Sequence, residues 1–181
     1  MTISITLPDD TGRQAVAARF ADYDAVRDVV AAAGSATPAL SFARLYDYAT
    51  GAADSDGQID QALQASPRLR ADLRLLLGKV AINTLPEVAA AGSGDLESRE
   101  TDQCRIRIEP SRAEPDQVYV IIELVDPAAP LPSVLFTCTT DDRSNRIDLP
   151  EGRDGVIQVL LDRTAPVLTS LRDHKAEVYL R

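Results

Sequence analysis

Apolar residues change their spacing near position 100. Before it they recur every three or four residues, and after it they alternate with polar ones. Residues 2–7 are an exception: Ile3, Ile5 and Leu7 share one side of a short predicted strand that Pro8 ends. A helix is expected over residues 11–33, with Val16, Phe20, Tyr23, Val26 and Val30 on one stripe and Gly34 as its stop. Thr37-Pro38 pairs an N-cap with a proline at the first helical position. The helix it starts carries Leu40, Ala43, Leu45 and Tyr48, and Gly51 ends it. Ser55 with Gln58 makes a capping-box pattern ahead of Ile59 and Leu63. Ser66-Pro67 opens the last expected helix, which bears Leu69, Leu73, Leu76, Leu77 and Val80 and stops near Leu85-Pro86.

Residues 91–103 are polar and contain Gly and Ser, the composition of a linker. Strands are expected beyond them at 105–108, 118–125, 134–138, 147–149, 156–161 and 177–180. The run VYVIIELV at 118–125 is nearly all apolar, the mark of a strand covered on both faces. Prolines at 110, 115, 127, 130, 132 and 150 fall between the runs, and residues 141–145 form a turn. Residues 165–171 could add one helical turn. The expected fold class is α+β: an N-terminal bundle of about four helices over residues 1–90, then an antiparallel β-sandwich-like domain over residues 104–181.

Composition narrows the classes. Apolar residues make up 45 %, enough for a core, and charged residues 26 %. Aromatics are 4 % and Trp is absent, so Leu, Val, Ile and Ala must fill the core. The net charge is −9, with 8 basic and 11 acidic residues before position 93 and 11 basic and 17 acidic after it. No basic excess exists in either part, which argues against a nucleic-acid partner. Residues 1–10 lack the features of a signal peptide, and no apolar run approaches the ~20 residues of a membrane span. A cytoplasmic protein with no membrane partner is therefore expected. Cys104 and Cys138, 34 residues apart, could meet across a sheet, but in that setting two reduced, half-buried thiols are the leading expectation.

Candidate chemistry is sparse. His174, the sole histidine, lies in the charged turn Arg172-Asp173-His174-Lys175, where a solvated side chain is expected. No nucleophile elbow, dinucleotide fingerprint or Walker loop occurs. The run Asp54-Ser55-Asp56-Gly57-Gln58-Ile59-Asp60 matches the middle of an EF-hand loop. Its end positions are Ala52 and Leu63, so two strong ligands are missing. An acidic helix start explains it instead. Asp141, Asp142, Asp148, Glu151 and Asp154 cluster around two turns, and turn chemistry accounts for Asp141, Asp142 and Asp154. The expectation is a chain with no catalytic residue, no metal and no cofactor.

One family resemblance lies in the helical part. Ala62-Leu63-Gln64-Ala65-Ser66-Pro67-Arg68-Leu69-Arg70 resembles the His-Leu-x-x-Cys-Pro-x-Cys-Arg segment of zinc-binding anti-sigma factor domains. Leu63, Pro67 and Arg70 match. Ala62, Ser66 and Leu69 replace the zinc ligands, so the resemblance implies a zinc-less relative. Residues 44–51 also resemble that family's short helix end, and the whole resemblance spans residues 38–78. It implies a regulatory protein whose helices wrap a sigma factor, with Leu45, Tyr48, Leu63, Leu69 and Leu73 as partner-binding positions. The β part would then sense or dock.

A non-enzymatic regulatory or adaptor protein acting through protein–protein contacts is the leading expectation. The alternative is a ligand- or carbohydrate-binding β module, with the site in loops 126–132 and 141–146. An enzyme would have to rely on carboxylates.

Overall fold

The computed structural model describes residues 40–53, 57–88, 95–141 and 143–181. The strand expected at 2–7, the helix at 11–33, the Thr37-Pro38 cap and the residues Asp54, Ser55, Asp56 and Asp142 lie outside them.

Local chemistry sets the helix limits. In α1 (Phe42–Thr50) the cap is Ser41, whose Oγ accepts the Arg44 amide at 3.3 Å. Gly51 ends α1 at φ 75°, and a β-carbon there would meet Val134 Cγ2 at 2.6 Å. After α2 (Gly57–Ala65), Ser66 caps α3 (Pro67–Val80) by accepting the Leu69 amide at 3.3 Å. The fourth described helix is α4 (Pro166–Arg172).

Eight strands follow the first three helices or flank α4: β1 (Asn83–Leu85), β2 (Ser98–Glu100), β3 (Cys104–Pro110), β4 (Gln117–Leu124), β5 (Val134–Cys138), β6 (Ser144–Asp148), β7 (Val156–Asp162) and β8 (Glu177–Leu180). They form two four-stranded antiparallel sheets. Sheet A runs β1-β8-β5-β6 and sheet B runs β2-β3-β4-β7.

Two cores hold three layers together. Between the sheets lie Ile106, Ile108, Val120, Ile122, Leu135, Ile157, Val178 and Leu180, with Leu168 and Leu171 of α4. On the other face of sheet A, α1–α3 pack Leu45, Tyr48, Leu63, Leu73 and Leu77 against Val134, Phe136, Cys138 and Tyr179. The period-2 pleat lets β5 serve both cores, with Leu135 on one side and Phe136 on the other.

The expected bundle followed by a separate β domain is corrected by this packing. Among the described residues no helical bundle forms, and the protein is mostly β with its helices laid against the strands. Helices of 9, 9 and 14 residues each present one apolar face. That face must be covered, and sheet A covers it. Residues 40–181 group as one unit.

Smaller differences have the same origin. The helix expected to reach Leu85 stops at Val80, and β1 follows it. Part of the expected linker is β2, paired with β3. β4 alternates buried and half-buried positions, whereas β5 is the strand buried on both faces. β6 begins at Ser144, inside the expected turn, and α4 extends to Arg172.

Buried polar groups position α4. Arg99 of β2 is 3 % exposed and donates to the carbonyls of Leu171 (2.8 Å), Ala176 (2.9 Å) and Asp173. Asn145 of β6 donates to Ser170 Oγ of α4 at 3.0 Å and to Thr137 Oγ1 at 3.3 Å. β2 and β6 thus clamp the helix between the sheets.

Candidate functional site

The residues singled out in the sequence do not meet at one place. Leu45, Tyr48, Leu63 and Leu73 are buried in the core beneath the helices, and Leu69 packs half-buried against it. Fully burying such a side chain is worth about 1.5–3 kcal/mol, so these positions are committed to the fold. Other apolar side chains face outward: Phe42 and Tyr46 on α1, whose rings lie 6.4 Å apart and tilted by 39°, and Leu75 on α3.

His174 lies in the turn before β8 with its Nδ1 3.9 Å from the Asp173 carboxylate. Cys104 and Cys138 are free and buried in different cores, on opposite sides of sheet A. Burial pushes both thiols up, Cys138 to about 12. Asp60 accepts the Tyr48 hydroxyl at 2.8 Å, and burial raises that phenol far above its usual value. Asp148 pairs with Arg146 at 2.6 Å, Asp154 takes a positive φ of 53° in a turn, and Glu151 is exposed. Among the described residues no three of His, Cys, Asp and Glu come together.

A groove of about 590 Å³ along the outer edge of β6 does concentrate groups. Its floor is residues 141 and 143–147. Asp60, Leu63 and Gln64 of α2 and Arg70 of α3 form one wall. Leu161 of β7 and the start of α4, residues 165–167, form the other.

Side-chain chemistry first builds the end of the floor. Thr139 Oγ1 accepts the Arg143 amide at 3.2 Å and donates to the Asp141 carboxylate. Arg143 reaches the same carboxylate at 2.6 Å. The Thr139 hydroxyl and then the Arg143 guanidinium hold the Asp141 carboxyl below its ordinary value. This closes the β5–β6 turn.

The ladder then determines what the edge presents. Thr139 N–H bonds Arg143 O at 2.9 Å, and Leu149 N–H bonds Ser133 O at 2.7 Å. With the β5–β6 register, alternation points the main chain of Asn145 and Ile147 toward β5. The main-chain groups of Ser144, Arg146 and Asp148 point outward, and among the described residues no strand pairs with them.

Charged side chains in the groove are already engaged. Arg70 Nη1 donates to Leu63 O (2.6 Å) and Gln64 O (2.9 Å). Arg146 donates to Tyr48 O (3.2 Å) and Ala53 O (2.7 Å), and Arg143 holds Asp141. The groove has no histidine or cysteine on its walls. What it offers is a row of main-chain donors and acceptors between partly apolar walls. That arrangement suits an extended chain better than a reaction. Loop 141–146 does line it, whereas loop 126–132 does not. Of the α2 wall the sequence named Leu63 alone, and the contribution of β7 and α4 has no signal in it, because it depends on how the layers stack.

No protein-family model, curated protein or solved structure matches this chain.

Proposed function

We propose that the protein is a non-enzymatic adaptor that binds an extended segment of a partner protein as an added strand on β6. The observation that carries this is the outer edge of β6, which no strand pairs among the described residues and which lies in the floor of the groove. Main-chain pairing supplies affinity in this mode, and wall pockets read alternate side chains. At about 3.3 Å per residue a strand matching β6 would span roughly 17 Å. A sigma factor, the partner class the resemblance in residues 38–78 implies, is one candidate source of such a segment. It would be held at the β6 edge, because four of the five leucine and tyrosine positions named for it are core.

Selection of binders from a displayed library of unstructured peptides, followed by amide hydrogen exchange on the full chain, tests the reading. Bound peptide slows exchange at Ser144 and Arg146. Ser144→Pro removes one outward N–H and leaves the β5 ladder in place, so it weakens binding at least tenfold with little change in melting temperature. Binders that protect other surfaces, or that ignore the proline, count against it.

A second reading draws on the position of loop 141–146 in the groove floor, which suits a small ligand or sugar. Thermal shifts with a panel of sugars and nucleotides, localised to the groove by Arg143→Ala, separate it from the first.

A further inference from the structure

Sheet B ends on β7, and that edge differs from the other three. β1 and β2 have only three residues each, a way in which proteins blunt edge pairing, and the β6 edge lies between walls formed by α2, α3 and the start of α4. Residues 157–161 of β7, Ile-Gln-Val-Leu-Leu, carry no charge and no proline.

The ladder to β4 fixes which groups are free. Leu124 N–H bonds Gly155 O, and Arg163 N–H bonds Asp116 O, each at 2.8 Å. Alternation between these points, on the β4–β7 register, turns the main chain of Ile157, Val159 and Leu161 toward β4. Gln158, Leu160 and Asp162 turn theirs outward. Arg153 already bonds both main-chain groups of Val156, at 2.8 and 2.9 Å, and Ala165 N–H bonds Asp162 O at 2.9 Å. Gln158 and Leu160 remain between, with no strand beside them among the described residues. The Leu160 side chain is 44 % exposed on the open face of sheet B.

We propose that β7 pairs antiparallel with β7 of a second copy of this chain, with the two Leu160 residues opposite each other at the twofold axis. Charge and occupancy select this register. Centring on Gln158 would oppose Asp154 to Asp162 and Arg153 to Arg163. Centring on Val159 would oppose Asp162 to Val156, whose main chain Arg153 occupies. Centring on Leu160 joins Leu160 to Leu160 and Gln158 to Asp162, whose outward N–H can pair although its carbonyl already accepts the Ala165 N–H, and it sets no like charges face to face. The contact is isologous, and two four-stranded sheets become one of eight strands.

One strand pair covers less than the roughly 1,200–2,000 Å² of stable interfaces, so the dimer is reversible. A charge of −9 on each copy opposes it, and added salt strengthens it. β7 lends Leu161 to one wall of the β6 groove, but Gln158 and Leu160 line no part of it, so Leu160→Lys and Ser144→Pro test the two contacts separately.

Sedimentation of the full chain from low to high micromolar concentration reads the equilibrium. The average mass rises from 19.5 kDa toward twice that value. Leu160→Lys places two cations at the axis and raises the dissociation constant at least tenfold, with an unchanged circular dichroism spectrum. Leu75→Lys, on the exposed face of α3, leaves it unchanged. Leu160→Cys gives a disulfide-linked dimer on mild oxidation, because a hydrogen-bonded pair at ~5.5 Å lies within disulfide reach. A single-chain mass throughout, or dimers indifferent to Leu160→Lys, overturns the proposal. Dimers that Leu160→Lys breaks but Leu160→Cys never links overturn the Leu160 register.

Discussion

The guanidinium carbon of Arg146 lies 4.6 Å from the centre of the Tyr48 ring. The same side chain donates to the carbonyls of Tyr48 and Ala53 and is 2 % exposed. An edge strand of sheet A thereby holds the last turn of α1. The Tyr48 ring also meets Phe136 edge-on at 5.6 Å, which carries the contact into β5.

Arg146→Met should lower stability by about 2–4 kcal/mol, since it strips donors from two carbonyls and removes the cation–π contact. Urea unfolding measures this. Arg146→Lys should recover little, because an ammonium cannot span the same acceptors. A loss under ~0.5 kcal/mol for Met would show that the contact is dispensable.

Arg99 caps the end of α4 with three carbonyl bonds, and burial pulls its pKa below the ordinary arginine value. Arg99→Met would leave those carbonyls without their donor. The expected loss is about 3 kcal/mol or more, with faster amide exchange across residues 166–176. Unchanged exchange there would contradict the clamp.

Glu177 accepts from Arg74 at 2.7 Å and from the Tyr179 hydroxyl at 2.5 Å. The Arg74 bond, ahead of the opposing desolvation, holds its carboxyl below the usual value. A depressed carboxylate stabilises the fold above its unfolded pKa of ~4.3, and that stability is lost as pH falls through the folded value. Glu177→Gln should therefore cost on the order of 1 kcal/mol at neutral pH. The deficit should shrink below ~pH 4. A deficit that stays constant from neutral pH to acid would refute the linkage.

Both thiols should resist labelling in the native state. For Cys138, with a pKa of about 12, the thiolate fraction at pH 8 is ~10⁻⁴. Two thiols should react once guanidinium unfolds the chain. No Cys104–Cys138 disulfide should form in native protein, because sheet A separates their cores. Fast native labelling or that crosslink, seen by mass spectrometry, would contradict the packing.

The spacing of apolar residues and the caps fixed much of the local structure. Ser66-Pro67 starts α3 and Gly51 ends α1, because a side-chain acceptor and a left-handed residue act within one turn of chain. β8 has the bounds its alternation implies. β1 and β2 left no such trace, since three residues cannot show a period and their pairing partners supply the order. Of the groove, the sequence suggested loop 141–146 and, as a partner-binding position, Leu63.

Local rules thus decided where helices and strands form, for they act through neighbours along the chain. Tertiary structure decided the rest. It laid the helices on sheet A, buried Leu45, Leu63 and Leu73 beneath them, and left the outer edges of β6 and β7 without a partner strand among the described residues. Burial and edge exposure depend on which layers stack on which. That choice joins residues as far apart as Arg99 and Ala176, and Tyr48 and Arg146, through contacts that no short stretch of sequence encodes.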